Sequence, residues 1–115
     1  MALNDRGIAY GAKGSPELAI ADFEQFIRLD PKNAAAYNNR GFTYRSMRNT
    51  ERAISDFDQA VKLNPSYGLA FYNRGNAYYD EREFDRANDS FDQAVKLDPR
   101  DAFALHDRGI AHYER

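Results

Sequence analysis

A chain of 115 residues is long enough to bury one continuous core without disulfide or metal staples. Charged residues make up 30% of it and the formal net charge is only −2, so it lacks the basic surplus that nucleic-acid binding demands. The absence of cysteine removes disulfide frameworks and thiolate metal sites, and no apolar run approaches the roughly 18–20 residues that span a bilayer. The start, Met1-Ala2-Leu3-Asn4-Asp5-Arg6, has neither the basic residues nor the apolar stretch of a secretory signal. On that ground the cytoplasm is the favoured compartment, and the sequence goes no further on location.

Taken in chain order, the sequence repeats. Pro31, Pro65 and Pro99 are spaced by 34 residues. Arg6, Arg40, Arg74 and Arg108 keep the same register, each followed by a glycine: Gly7, Gly41, Gly75 and Gly109. Three residues on stand Tyr10, Tyr44, Tyr78 and His112. Later come Ala19, Ala53 and Ala87, then Phe23, Phe57 and Phe91. Residues 34–67 and 68–101 are identical at 16 of 34 positions. A fixed period of this size marks a stack of like units.

Each unit reads as two helices. In the second, Tyr37, Gly41 and Tyr44 share one face at helical spacing. Arg48-Asn49-Thr50 interrupts the pattern, and Asn49 or Thr50 can cap a new helix. Ala53, Phe57, Ala60 and Val61 form its apolar stripe, and Asn64-Pro65 ends it. Asn64 is expected to cap the following helix, with Pro65 in the first turn. The first unit uses Ser15-Pro16-Glu17 for its internal turn. Turns are predicted near 14–16, 30–32, 48–50, 64–66, 82–84 and 98–100. A glycine inside a helix costs about 1 kcal/mol against alanine; its recurrence four times argues for close helix approach, with an aromatic such as Phe57 filling the space.

The sequence resembles the tetratricopeptide repeat. The residues that carry the likeness are an aromatic (Tyr37, Phe71), glycine (Gly41, Gly75), tyrosine (Tyr44, Tyr78), alanine (Ala53, Ala87), phenylalanine (Phe57, Phe91), alanine (Ala60, Ala94) and proline (Pro65, Pro99). It departs in having arginine before the glycine, Phe26 where the family has a small residue, and Asn88 in the place of Ile20 and Ile54. The resemblance implies an all-α superhelix of about three helix pairs plus an extra C-terminal helix. The chain then forms one domain, with repeats at approximately 1–33, 34–67 and 68–101 and a partial repeat or capping helix at 102–115. The irregular Ser46-Met47-Arg48-Asn49-Thr50 favours a piece of a longer natural repeat protein over a consensus design.

Nothing points to catalysis, a cofactor or a metal. His106 and His112 lie about 120° apart around a helix, and His112 takes the packing slot of the tyrosines. Gly11-Ala12-Lys13-Gly14 lacks phosphate-loop spacing and reads as a helix end and turn. Glu24, Asp58 and Asp92 recur with the repeat, as salt-bridged or solvated structure would. The repeated arginines are expected to pair with Asp22 and Asp56, or with Glu24, Asp58 and Asp92; an anion-binding ladder is the functional alternative.

Positions that vary between units are free to specify a partner. The face opposite the tyrosine–glycine stripe carries Asn38, Asn39, Phe42 and Arg45, then Leu69, Tyr72, Asn73, Asn76, Tyr79 and Asp80, then His106 and Asp107. The resemblance places this face in a concave groove that receives an extended peptide. Asn39 and Asn73, in register, offer a donor and an acceptor to a peptide backbone, and the aromatics offer apolar contact, unless they only cover helix seams. Where some family members clamp acidic C-terminal tails with lysines, an arginine and asparagines, this chain has Asn4, Ile8, Asn39, Leu69 and Asn73, with no base among them. The expected role is a protein-interaction scaffold with a protein or peptide partner, and neither nucleic acid nor membrane. The alternative is a self-assembly module, a homo-oligomer through its end helices.

Overall fold

The computed structural model describes residues 15–114 as six α-helices, with no strand among them. They are α1 (Pro16–Leu29), α2 (Ala34–Ser46), α3 (Thr50–Leu63), α4 (Gly68–Asp80), α5 (Phe84–Leu97) and α6 (Ala102–Glu114). The all-α expectation holds, and the breaks fall where the 34-residue register put them. The helix expected before α1 lies outside the described residues, together with Asn4, Arg6, Gly7, Ile8, Tyr10 and Gly11-Ala12-Lys13-Gly14.

Local chemistry sets the helix ends. Asn33 Oδ1 accepts from the Ala36 N–H at 3.3 Å, Asn49 Oδ1 from Arg52 at 3.4 Å, and Asp101 Oδ1 from Ala104 at 3.1 Å. Each is a side-chain N-cap that satisfies a first-turn donor. Asn64 departs from its expected role. It closes α3, its N–H donating to the Ala60 carbonyl, and its Oδ1 accepts from Ser66 N–H at 3.1 Å. Pro65 therefore lies in the turn, because the residue before proline is driven to extended angles, and α4 starts only at Gly68.

The turns inside the two pairs that the described residues complete, α2–α3 and α4–α5, are alike. Arg48 and Arg82 have φ of 63° and 60°, the left-handed conformation in which a helix often ends. The Asn49 N–H reaches back to the Tyr44 carbonyl at 2.9 Å and Arg48 to Arg45 at 2.9 Å; Glu83 and Arg82 make the same two bonds to Tyr78 and Tyr79. Backbone groups thus terminate α2 and α4 identically.

Between helices, small residues meet aromatics. Ala36, Ala70 and Ala104, one per unit, are fully buried, as are Phe57 and Phe91. A Cβ built on Gly41 would lie 2.8 Å from Phe57 Cε1, and one on Gly75 would lie 2.5 Å from Phe91 Cε1. The two glycines are therefore seats for the phenylalanines of α3 and α5, as their repetition predicts. Asn88 is the exception in this core: it is 3% exposed, and its amide nitrogen and oxygen have no hydrogen-bond partner among the described residues.

Consecutive helices pack in series. In addition, α2 touches α4 and α4 touches α6, whereas α1, α3 and α5 make no backbone contact with one another. Helices that converge on one side and splay on the other curve the stack, with α2, α4 and α6 on its inner side. The result is elongated, 41 × 25 × 21 Å.

Candidate binding groove

The inner face of α2, α4 and α6 is the surface on which the sequence placed its candidate residues. Their polar groups are largely joined in rungs between neighbouring first helices, at a spacing of 35 residues. The Arg45 guanidinium makes a two-pronged pair with Asp80, Nε to Oδ2 at 2.6 Å and Nη2 to Oδ1 at 3.1 Å. Tyr72 Oη donates to Asp107 Oδ2 at 2.7 Å. Asn73 Nδ2 donates to Asn38 Oδ1 at 3.0 Å.

The last rung corrects the sequence reading. Asn38 is 2% and Asn73 7% exposed, and Asn38 is bonded on its other side to Tyr67. Both amides are structural links between α2 and α4, closed to a ligand. Asn39, which stands in register with Asn73, is half-buried and has an interaction of its own. The difference arises because facing side chains on adjacent first helices are 35 apart, so the buried partner of Asn73 is Asn38.

The remaining candidates divide by exposure. Phe42 (56%) and Leu69 (55%) stand out from the surface, His106 and Asp80 are exposed, and Arg45, Tyr72, Asn76, Tyr79 and Asp107 are half-buried. A hollow of about 270 Å³ gathers Arg45, Asn76, Tyr79, Asp80 and Asp107 together with Phe91 and Ile110. Phe91, on a second helix, is a lining residue that the search of first-helix faces missed; its signal was the seat it fills at Gly75. A second hollow, on the other side of the Arg45–Asp80 rung, takes in Phe42, Ser46, Arg48 and Thr50. His112 is exposed, against the expectation that it packs like the tyrosines, because no helix among the described residues lies over it.

Charges follow the same economy. Burial raises the Tyr72 phenol above its ordinary value, Asn76 offsets part of this by bonding to it, and the Asp107 carboxylate adds to the rise. Burial raises Tyr67 in the same direction. The arginines next to the glycines are tied to the outer helices. Arg40 Nε and Nη2 grip Asp56 at 2.8 and 2.7 Å. Arg74 reaches Ser90 Oγ and Asp58 Oδ1, both at 3.0 Å, and Arg108 reaches Asp92 Oδ1 at 3.0 Å. Burial pushes the Asp56 carboxyl up despite Arg40, while the bond to Asp56 raises Arg40. Desolvation is the larger influence on the Asp56 carboxyl, and the two-pronged guanidinium opposes it. Asp56 from one of the sets named from the sequence and Asp58 and Asp92 from the other are thus used, and Arg40, Arg74 and Arg108 stand as scaffold. Among the described residues no group of His, Asp and Glu is placed to hold a metal, and no helix is long and apolar enough to cross a membrane.

Comparison with known proteins places this geometry. Tetratricopeptide-repeat models match residues 34–67 and 68–101, and a further TPR-repeat model matches residues 7–47. The chain belongs to the tetratricopeptide-repeat family. No curated protein matches it by sequence. Among solved structures it is similar to the first TPR domain of Spaghetti (RPAP3) bound to the HSP90 peptide SRMEEVD, with 26% identity, a TM-score of 0.94, and 96% of this chain and 88% of that one covered. It is also similar to the second TPR domain of human RPAP3 in complex with the HSP70 peptide SGPTIEEVD, with 29% identity, a TM-score of 0.91, and 96% and 92% covered. MamA matches with 28% identity and a TM-score of 0.91, covering 96% of this chain and 65% of that one.

Proposed function

We propose that this chain is a protein-interaction module that binds an extended peptide along the inner face of α2, α4 and α6. The observation that carries the reading is the hollow between these helices. It combines apolar surface of Ile110 and Tyr79 with hydrogen-bonding groups of Asn76 and Asp107 at its wall, as a side-chain pocket requires. Phe42 and Leu69 extend apolar contact beyond it. The two RPAP3 domains above, which bind peptides, have the same fold. The ligand differs from theirs in chemistry: Asn39, Leu69 and Asn73 supply no positive charge to an acidic terminus, and Asn73 is buried.

The test is selection of peptides from a displayed random library on the wild-type chain, followed by titration of the enriched sequences. Phe42→Ala and Ile110→Ala together should weaken them at least about tenfold, and a thermal melt of the variant checks that the fold persists, since Phe42 is 56% exposed but Ile110 only 38%. Peptide SRMEEVD should show no saturable binding. Equal affinities for the wild type and the double variant would remove the groove assignment.

A further inference from the structure

The hollow between α4 and α6 carries more charge than its architecture needs. Arg45 and Asp80 neutralise each other in their two-pronged pair. Asp107 is left over. Its Oδ2 accepts from the Tyr72 hydroxyl, and its Oδ1 has no partner among the described residues. No cation among them pairs with it, since Arg45 is held by Asp80 and Arg108 by Asp92. One unit earlier, Asn73 takes the same place and completes its rung with a neutral amide. A rung therefore needs a hydrogen bond and not a charge. Like Asn73, Asp107 bonds back to the preceding first helix, so the hollow lies between helices that are both described. A second acceptor stands on the same wall. The Tyr72 hydroxyl gives its only proton to Asp107, so the Asn76 amide that bonds to this hydroxyl donates to it and keeps its carbonyl oxygen as an acceptor. At about 270 Å³ the space falls below the roughly 300–1,000 Å³ of small-molecule sites and suits one long side chain.

We propose that this hollow is a specificity pocket for one basic side chain, lysine or arginine, of the peptide bound along α2, α4 and α6; the proposal rests on the groove reading above. The cationic head donates to Asp107 Oδ1 and to the Asn76 carbonyl oxygen, a charge-assisted bond beside a neutral one. Its aliphatic stem lies on Ile110 and Tyr79, which line the same hollow, as long basic side chains cover apolar surface while their heads stay polar. An acidic side chain in this place meets Asp107 as a like charge and is rejected. An apolar one of the same length leaves both acceptors without a donor.

The probes are pools of acetylated, amidated heptapeptides that carry a neutral fluorophore. The central residue is lysine, arginine, norleucine or glutamate, and the other positions are mixtures of alanine, leucine, tyrosine and serine, so only the centre is charged. The immobilised 115-residue chain should retain the lysine and arginine pools at least about fivefold better than the norleucine pool, and the glutamate pool least. Asp107→Asn keeps an acceptor for Tyr72 and removes the charge. It should abolish that advantage and leave retention of the norleucine pool unchanged; a circular-dichroism melt checks its fold. Glu51→Gln, at an exposed position of α3, makes the same change in net charge and should alter no pool. Phe42→Ala, in the groove but outside this hollow, should lower all pools alike. Equal retention of basic and norleucine pools, all lowered by Phe42→Ala, would overturn the basic pocket and leave the groove standing. An advantage that survives Asp107→Asn, or that Glu51→Gln also removes, would overturn it as general attraction to a negatively charged chain. An advantage that depends on Asp107 but not on Phe42 would support the pocket and withdraw the groove's extension over α2. Retention of no pool above a blank surface would overturn the pocket, and the displayed-library selection then decides the groove by itself.

Discussion

Gly75 and Gly109 hold the same place in successive units, follow the same arginine, and sit in helices of equal length, 13 residues each. One has the Phe91 ring against it and the other has nothing near it. α4 lies between α3, α5 and the flanking first helices, whereas among the described residues α6 meets only α5 and the edge of α4. The comparison teaches that a repeat motif specifies a half-interface. Its energetic meaning depends on whether the complementary half is present, so identical residues should respond to mutation in opposite ways.

The largest expected effect is at the knob itself. Phe91→Ala, which empties a fully buried site, should cost about 3–5 kcal/mol, read as a fall in the midpoint of urea unfolding. A midpoint unchanged by this substitution would break the comparison at once. The next effect is one of sign. Gly75→Ala places a methyl group about 2.5 Å from a ring carbon and should destabilise by about 1–3 kcal/mol. Gly109→Ala adds the same methyl to open space in a helix interior and should stabilise by about 0.5–1 kcal/mol. Thermal melts of the two single variants decide it; equal shifts of the same sign would mean that the ring at Gly75 yields freely.

A smaller effect sharpens the contrast between the α2–α3 and α4–α5 pairs. Asn88 holds the place that Ile54 has one unit earlier, and its buried amide is unpaired among the described residues. Asn88→Ile should stabilise by about 1–2 kcal/mol, by removing desolvated groups that gain no bond in the fold. A loss of stability would show that the amide is bonded after all.

Much of the fold was legible because each requirement recurs at a constant interval. The seats at Gly41 and Gly75, the cap at Asn49 and the acidic partners of the arginines lie within one unit or at its boundary, where the pattern exposes them, whereas the cap at Asn33 was not read and the one expected at Asn64 is absent. What was illegible lies between units. The rung from Asn38 to Asn73 runs at 35 residues, one more than the repeat, so alignment pairs Asn73 with Asn39 and hides its true neighbour. Of the groove, the face and its exposed Phe42 and Leu69 were readable from spacing. The tying of Arg45 to Asp80 and of Tyr72 to Asp107 was not, since no property of one helix reveals the rotation of the next. His112 was misplaced for the reason that separates Gly75 from Gly109: its pattern assumes a cover that the described residues do not provide.

The arginines have one more consequence. Arg74 bonds forward to Ser90 and backward to Asp58, each sixteen residues away. Arg40 uses the forward arm and Arg108 the backward one. A segment copied in tandem would therefore arrive with both halves of its own mortar: an arginine for the unit behind it and an acceptor for its own outer helix. Such a chain can lengthen by duplication without inventing a new junction, while the loss of a single residue between any arginine and its acceptor would misalign the rung.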